Sequence, residues 1–598
     1  MKTDDIMVNA LSDPHAKHHP GAGQHKTRNA PRGRQVEAQA LDELRELLQD
    51  RPRRRDLLIE HLHLVQDHYG CLHTRHLVAL ANEMRLALAE VYEVASFYAH
   101  FDIVMEDEPP PPPLTVRVCD SLTCALMGAQ NLLDALPPAL GQSVRVMRAP
   151  CMGGCHHAPV VALGRALHEH ASVDSVTRAI QSGDTSPHVP DYLDFEHYRA
   201  GGGYRLLTEC FTGMRQVEDV IETIENSNLR GLGGAGFPTG RKWRLVRAEP
   251  APRLMAVNAD EGEPGTFKDR HYLETDPHRA LEGMLIGAWA VEAKAVYIYL
   301  RDEYPQIREI LLREIPKLQA AGLARHTEIH LRRGAGAYIC GEESAMLESI
   351  EGKRGWPRHK PPFPSQVGLF GRPTLVNNVE TVFWVRDIVE KGPDWFASHG
   401  RNGHKGLRTF SVSGRVMEPG VKLAPAGITI RELIDESCGG MAQGHTFKGY
   451  LPGGASGGLL PASMDDIPLD FGTLEPHGCF IGSAAVVVLS DQDDMRAVAL
   501  NLMRFFKDES CGQCTPCRLG TEKAVALIER PDWDEALLDD LAKVMIDASI
   551  CGLGQAAMNP VRQVIKHFRD DIGTATPGPV ALQPPGRGTA ARDTPREF

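Results

Sequence analysis

No apolar run in this 598-residue chain approaches the roughly 18 to 20 residues that a membrane helix needs, so no segment is expected to cross a bilayer. The start, Met1 to Asp5, has no apolar stretch behind it of the kind that marks a secretory signal, and the expected location is cytoplasmic. Positive charge is in deficit. A formal net charge of −13 leaves no surplus of Lys and Arg to neutralise phosphates, which argues against a nucleic-acid partner. What is present, 42% hydrophobic and 24% charged residues, is the balance of an ordinary globular protein, in a length that calls for about three to five domains. Thirteen cysteines are an odd number for an intracellular chain, where disulfides are rare, so their spacing sorts them into metal ligands and buried thiols.

The organisation follows from periodicity. Residues 1–35 are rich in His, Lys, Arg, Gly and Pro and read as a disordered leader. Leucines at spacings of three and four predict a helical bundle over 36–108. Five consecutive prolines, Pro109 to Pro113, then act as a stiff spacer. A small α/β unit is expected over 114–182, with strands at Leu114–Val118, Val144–Val146 and Val160–Ala162. A larger α/β domain over 192–400 contains strands at Arg253–Asn258 and Ala295–Leu300. Residues 405–490 read as a β-rich module, 491–572 as helical, and 573–598 as a disordered tail.

Two cysteine groups carry chemistry. Cys119, Cys124, Cys151 and Cys155 form a C-x4-C and a C-x3-C pair, and four soft thiolates from two loops suit a [2Fe–2S] cluster. A structural zinc site or incidental thiols are the competing readings. Cys511, Cys514 and Cys517 at C-x2-C-x2-C, with Cys551 farther on, have the ligation pattern of a [4Fe–4S] cluster, and the overlapping triplet disfavours zinc. Cys71, Cys210, Cys340, Cys438 and Cys479 have no partner at ligand spacing and are expected as small buried hydrophobes.

Several loops suggest a nucleotide or flavin. Gly231, Gly233 and Gly236 match G-x-G-x-x-G, but no strand precedes them as a Rossmann fingerprint requires. The glycines nonetheless let backbone amides approach a ring or phosphate, with Phe237 able to stack and Lys242 adding positive charge; a purely structural turn is an equal alternative. Asn258 to Asp269 places acids at the end of a strand, where α/β sheets bind ligands. Gly334 to Ser344 leads into a helix whose first turn should carry Glu342 and Glu343. Lys360 to Pro364 and Asn377–Asn378 are turn-like.

Together, Gly-Leu-Gly-Gly-Ala-Gly-Phe-Pro-Thr-Gly, Asp-Glu-Gly-Glu-Pro-Gly-Thr-Phe-Lys-Asp, Gly-Ala-Tyr-Ile-Cys-Gly-Glu-Glu and Glu-Ser-Cys-Gly-Gln-Cys-Thr-Pro-Cys-Arg resemble the NADH-binding flavoprotein subunit of respiratory complex I, over about residues 192 to 570. Residues 37 to 182, including Glu93 to Tyr98, resemble the small [2Fe–2S] subunit of the same module. Such fusions resemble diaphorase subunits of NAD-reducing hydrogenases and of soluble molybdenum- or tungsten-dependent formate dehydrogenases. Arg55 to His63, Gly283 to Ala288 and Tyr297 to Pro305 look most like the formate dehydrogenase branch.

The resemblance implies a multidomain α/β fold: a helical bundle, a thioredoxin-like ferredoxin domain, a Rossmann-like FMN/NAD domain, a ubiquitin-like (SLBB) module and a C-terminal [4Fe–4S] bundle. It implies FMN contacted by Gly231, Gly233, Lys242, Asn258, Asp260, Tyr338, Gly341, Glu342, Asn377 and Asn378. It implies NAD(H) near Phe237 and Phe363, with Glu263 and Glu343 on the sugar or nicotinamide side and no side chain required as acid or nucleophile. Family members can carry a further aromatic where this chain has Leu245. Acids in the cleft disfavour the 2′-phosphate of NADP. The implied partner is a molybdopterin subunit with further iron–sulfur clusters, in a hetero-oligomer. A hydrogenase or complex I-type assembly, and a non-catalytic electron-transfer scaffold, are the alternatives.

Overall fold

The computed structural model describes residues 34–573. All but the last two residues of the expected leader, and all but the first of the tail, lie outside that range. No described helix is long and apolar enough to cross a membrane.

Four helices, Ala38–Leu48, Leu58–Tyr69, Thr74–Met84 and Leu88–Phe97, open the chain. The first buries Ala40, Leu44 and Leu48, one apolar stripe at successive turns. The second stops at Gly70, whose φ of 75° is the left-handed cap that glycine adopts without strain. The bundle docks on the larger α/β unit. Tyr98 Oη donates to Ser349 Oγ at 2.7 Å, and a His63 ring nitrogen bonds the Gly334 carbonyl at 2.8 Å.

After the prolines, β1 (Leu114–Cys119), β2 (Val144–Ala149), β3 (Val161–Leu163) and β4 (Ala166–His168) form a sheet in the order β2-β1-β3-β4. β1 and β2 are parallel and joined by the helix Ala129–Leu140, so both strands end on the same side, next to the four cysteines. The expected strands are present, displaced or extended by one to three residues.

The larger unit is built on β5 (Arg253–Ala259), β6 (Ala293–Leu300), β7 (Glu328–Arg333) and β8 (Thr374–Asn378), all parallel, in the order β8-β5-β6-β7. β6 is buried at all but one position, as a strand covered on both faces must be. The chain runs outward from β5 through β6 to β7 and returns to the other side of β5 as β8. The crevice beyond the carboxyl ends of β5 and β8 is therefore the topological switch point, where such sheets bind ligands. Register places Asn258 beside Asn378 there.

β9 (Leu407–Gly414), β10 (Gly420–Pro425), β11 (Phe447–Leu451), β12 (Leu460–Pro461) and β13 (Ala485–Ser490) make a mixed sheet, order β10-β9-β13-β11-β12, with the helix Ile430–Ser437 packed in the same core. Four main helices follow: Met495–Asp508, Thr515–Ile528, Glu535–Ala548 and Asn559–His567. Asp494 caps the first by accepting from Arg496 N and Ala497 N.

Candidate active site and two cysteine pockets

The glycine-rich loop joins the helices Val217–Asn226 and Thr239–Ala248, and no strand precedes it. Gly231 N donates to Phe237 O at 2.9 Å and Gly236 N to Gly231 O at 3.1 Å, closing the loop on itself. Leu232 N donates to Thr381 Oγ1 at 2.9 Å, pinning it to the helix after β8. A Cβ on Gly233 would lie 3.0 Å from that of Asn378, so the backbone sits against the end of β8. Lys242 Nζ reaches Val376 O at 3.3 Å and Trp243 Nε1 donates to Asn377 Oδ1 at 3.1 Å. Burial lowers the Lys242 pKa from its ordinary value.

Beside it, Asn258 Nδ2 donates to Gly341 O at 2.9 Å and Asn258 Oδ1 accepts from Asp260 N at 3.0 Å. Asp260 is buried and its Oδ2 has no hydrogen-bond partner. A Cβ on Gly262 or Gly341 would stand 3.0 or 3.1 Å from that oxygen. Burial pushes the Asp260 carboxyl well above the usual carboxylate range, outweighing Arg301. An orphan carboxyl lined by glycines is costly unless a ligand completes it.

The remaining acids divide by role. Glu263 accepts from Tyr338 Oη and from Ser456 N and Oγ, both at 2.8 Å, so its carboxylate ties the acid loop to the β-rich module. Glu342 is the N-cap of the helix Glu343–Ile350, one residue before the first turn in which it was expected, and accepts from Ser344 N and Ala345 N at 2.9 Å. Lys360 Nζ bonds both Glu342 and Glu343 at 2.8 Å. Burial opposes it, but Lys242 and Lys360 hold Glu343 below its ordinary pKa. Phe237 and Phe363 are 37% and 51% exposed, unusual for rings of that size.

Each cysteine group converges. Cys119 ends β1, Cys124 sits in the helical turn Leu122–Leu126, and Cys151 and Cys155 follow β2. Cys151 and Cys155 Sγ are 3.2 Å apart, and Cys119 contacts both Cys124 and Cys151. All four are buried, and the pocket wall includes Pro264 and Gly265 of the acid loop. Cys511, Cys514, Cys517 and Cys551 surround a second pocket, whose wall includes Ile339. Burial pushes the Cys517 thiol up to about 12 and the Cys551 thiol up to about 11, so a bound metal, not solvent, must hold them as thiolates. The other five cysteines are buried, as their spacing suggested.

Two residues lie in quoted stretches but had no role assigned from sequence. Arg301, buried at the end of β6, donates to Cys151 O at 2.7 Å and Glu261 O at 2.8 Å and pairs with Glu303 at 3.0 Å. It joins the first cysteine loop to the acid loop. Glu509, two residues before Cys511, accepts from Tyr338 N at 3.0 Å and joins the second cysteine loop to the cleft.

A glycine-lined cleft with an orphan acid, flanked by two cysteine pockets, defines an iron–sulfur flavoprotein. The matching family models agree with that reading: the Nuo51 FMN-binding domain over residues 224–387, the NADH-ubiquinone oxidoreductase-F iron–sulfur binding region over 497–575, and the thioredoxin-like [2Fe–2S] ferredoxin over 44–183. The mitochondrial NADH dehydrogenase [ubiquinone] flavoprotein 1 of Dictyostelium discoideum is 43% identical over 59% of this chain and 78% of its own length. The mitochondrial NADH-ubiquinone oxidoreductase 51 kDa subunit of Neurospora crassa is 40% identical over 63% of this chain and 81% of its own. A solved chain of NAD+-reducing [NiFe]-hydrogenase in the H2-reduced state superposes with a TM-score of 0.77 at 31% identity, covering 87% of this chain and 94% of that one. The chain belongs to the Nuo51 family of NADH dehydrogenase flavoproteins, with a thioredoxin-like [2Fe–2S] ferredoxin fused ahead of it. It is an NAD-dependent oxidoreductase subunit with FMN, [2Fe–2S] and [4Fe–4S] regions, and its two thiol pockets and glycine cleft fit those groups.

Proposed function

We propose that the chain is the NAD-reducing subunit of a soluble formate dehydrogenase, receiving electrons from formate oxidised on a separate molybdopterin subunit. The observation that carries the electron route is one turn of chain. Tyr338 to Gly341 lines the cleft with Gly341, over Asp260, and the second cysteine pocket with Ile339. Bound flavin supplies hydride exchange with nicotinamide and single-electron exchange with iron–sulfur, chemistry that belongs to the cofactor.

The side chains bind and orient. Gly231 and Gly233 admit the flavin, Lys242 supplies positive charge, and Asp260, Asn258, Asn377 and Asn378 offer polar contacts at the strand ends. Tyr338, Gly341 and Glu342 form the opposite wall. Phe237 and Phe363 offer apolar surface for the adenine, while Glu263 and Glu343 face the sugar or nicotinamide side. The acids select NAD over NADP by opposing a 2′-phosphate.

Formate as donor is supported by the stretches Arg55 to His63, Gly283 to Ala288 and Tyr297 to Pro305. A hydrogenase partner is the second reading, favoured by the 94% coverage of the solved hydrogenase chain. Isolation of the native complex decides between them. Formate-dependent NAD+ reduction with molybdenum or tungsten in the partner supports the first, and hydrogen-dependent reduction with nickel supports the second. NADPH reducing a dye as fast as NADH would overturn the NAD preference.

A further inference from the structure

The first cysteine loop ends in a second donor set. His156 and His157 follow Cys155 in one short turn, and Glu169 follows β4 on the facing hairpin. One ligand atom from each of the three lies within 4.8 Å of the others. His157 Nδ1 and Glu169 Oε2 are 2.6 Å apart. That pair alone is an ordinary surface contact. His156 adds a third donor beside it whose Nδ1 is buried and has no hydrogen-bond partner. Its ring is fixed by stacking on Phe267 at 4.4 Å with an interplanar angle of 23°. A buried imidazole nitrogen with nothing to bond is a group awaiting a ligand.

We propose that His156, His157 and Glu169 bind one divalent transition-metal ion of the zinc type, in addition to the iron–sulfur clusters. Two neutral imidazoles and a carboxylate form a three-ligand set that suits a borderline ion and leaves positions for water. His170 is a candidate further donor: its ring lies 5.1 Å from that of His157, and its backbone N–H donates to the His157 carbonyl at 2.8 Å, which orders the same corner. Arg270 is a nearby cation that opposes the ion, 3.7 Å from Glu169. It is held elsewhere, by Glu274 at 2.9 Å and by the Gly153 carbonyl at 3.2 Å. The Cys155-containing turn and the β3–β4 hairpin would be clamped together by the ion, immediately beside a cluster ligand.

Cobalt(II) serves as the probe because it takes zinc sites and is paramagnetic. Anaerobic holoprotein, freed of loosely bound metal, is titrated with cobalt and the magnetic relaxation of the reduced [2Fe–2S] signal is followed. Cobalt should speed that relaxation in the wild type. In Glu169→Gln and His157→Gln, with iron content and NADH–dye activity unchanged, binding at this site should weaken at least about tenfold, by analogy with losses from metal-site substitutions. Calorimetric zinc titration reads the same site without reference to the cluster. Equal zinc affinity in wild type and both variants, or cobalt relaxation that survives both substitutions, would overturn the proposal. Absence of the [2Fe–2S] signal before cobalt is added would instead count against the cluster assignment, and the zinc titration would still decide the new site.

Discussion

The two cysteine groups differ in how deeply their thiols are buried. Cys119, Cys124, Cys151 and Cys155 are all buried, and their pocket is closed by Pro264 and Gly265, by Val487 of the β-rich module and by Leu502 of the C-terminal helices. In the second pocket only Cys517 is buried, while Cys511, Cys514 and Cys551 are partly exposed. Exposure and nearby dipoles tune cluster potentials, so the same ligand type should behave differently at the two sites. Under the proposed function, the second site, less buried and next to the cleft, would be where electrons from a partner enter, and the more buried first site would exchange them within the chain.

The sharpest break of that comparison is a pair of substitutions. Cys517→Ser should abolish partner-dependent NAD+ reduction while NADH still reduces an artificial dye. Cys155→Ser should remove the [2Fe–2S] signal yet leave partner-dependent turnover measurable. Electron paramagnetic resonance with both assays checks each arm, and equal losses in the two variants would erase the distinction.

Next in size is Arg301. Its guanidinium is buried against Glu303 and the Cys151 and Glu261 carbonyls. Arg301→Met should cost about 3–5 kcal/mol, the usual consequence of stranding a buried charge and its acceptors. The loss should appear as a lower denaturant midpoint and earlier release of the [2Fe–2S] cluster, with the [4Fe–4S] signal outlasting it.

Phe237→Ala tests the nucleotide reading. Stacking worth about 0.5–1.5 kcal/mol predicts a KM for NADH raised roughly two- to thirteenfold, with kcat unchanged. Steady-state kinetics with an artificial acceptor measures it.

The smallest effect concerns Glu60, on the bundle face packed against β7. Burial pushes its pKa up to about 7 from an ordinary 4.5, despite Arg332. Between those values the folded chain holds a proton that the unfolded chain has released, so Glu60's contribution to stability falls as pH rises through that window. Glu60→Gln should flatten the dependence of the melting temperature between about pH 4.5 and 7 relative to wild type.

Much of this was legible in sequence because the informative residues are local. Cysteine spacing picked out two groups that the fold brings together, and alternation located the strand that ends near Asn258, while the end of the strand Thr374–Asn378 was read only as a turn. The glycine loop was correctly separated from a Rossmann turn because no strand pattern precedes it. What stayed hidden depends on contacts distant in sequence. The resemblance implies Glu263 on the sugar or nicotinamide side, but nothing in the sequence shows that Ser456, 193 residues away, closes on it. Arg301 follows the expected strand Ala295–Leu300 with no role assigned, and its role emerges only when Cys151, 150 residues earlier, lies against it. His156 carried no signal, because an unpartnered nitrogen is a property of packing.

The most direct measurement of the central claim is anaerobic purification of the full chain, analysis of flavin, iron and sulfide, and NADH addition followed by absorbance and electron paramagnetic resonance. The account predicts one FMN per chain, bleached by NADH, and iron–sulfur signals from two distinct clusters that appear on reduction. Protein without flavin, or with zinc in Cys511, Cys514, Cys517 and Cys551, would contradict it.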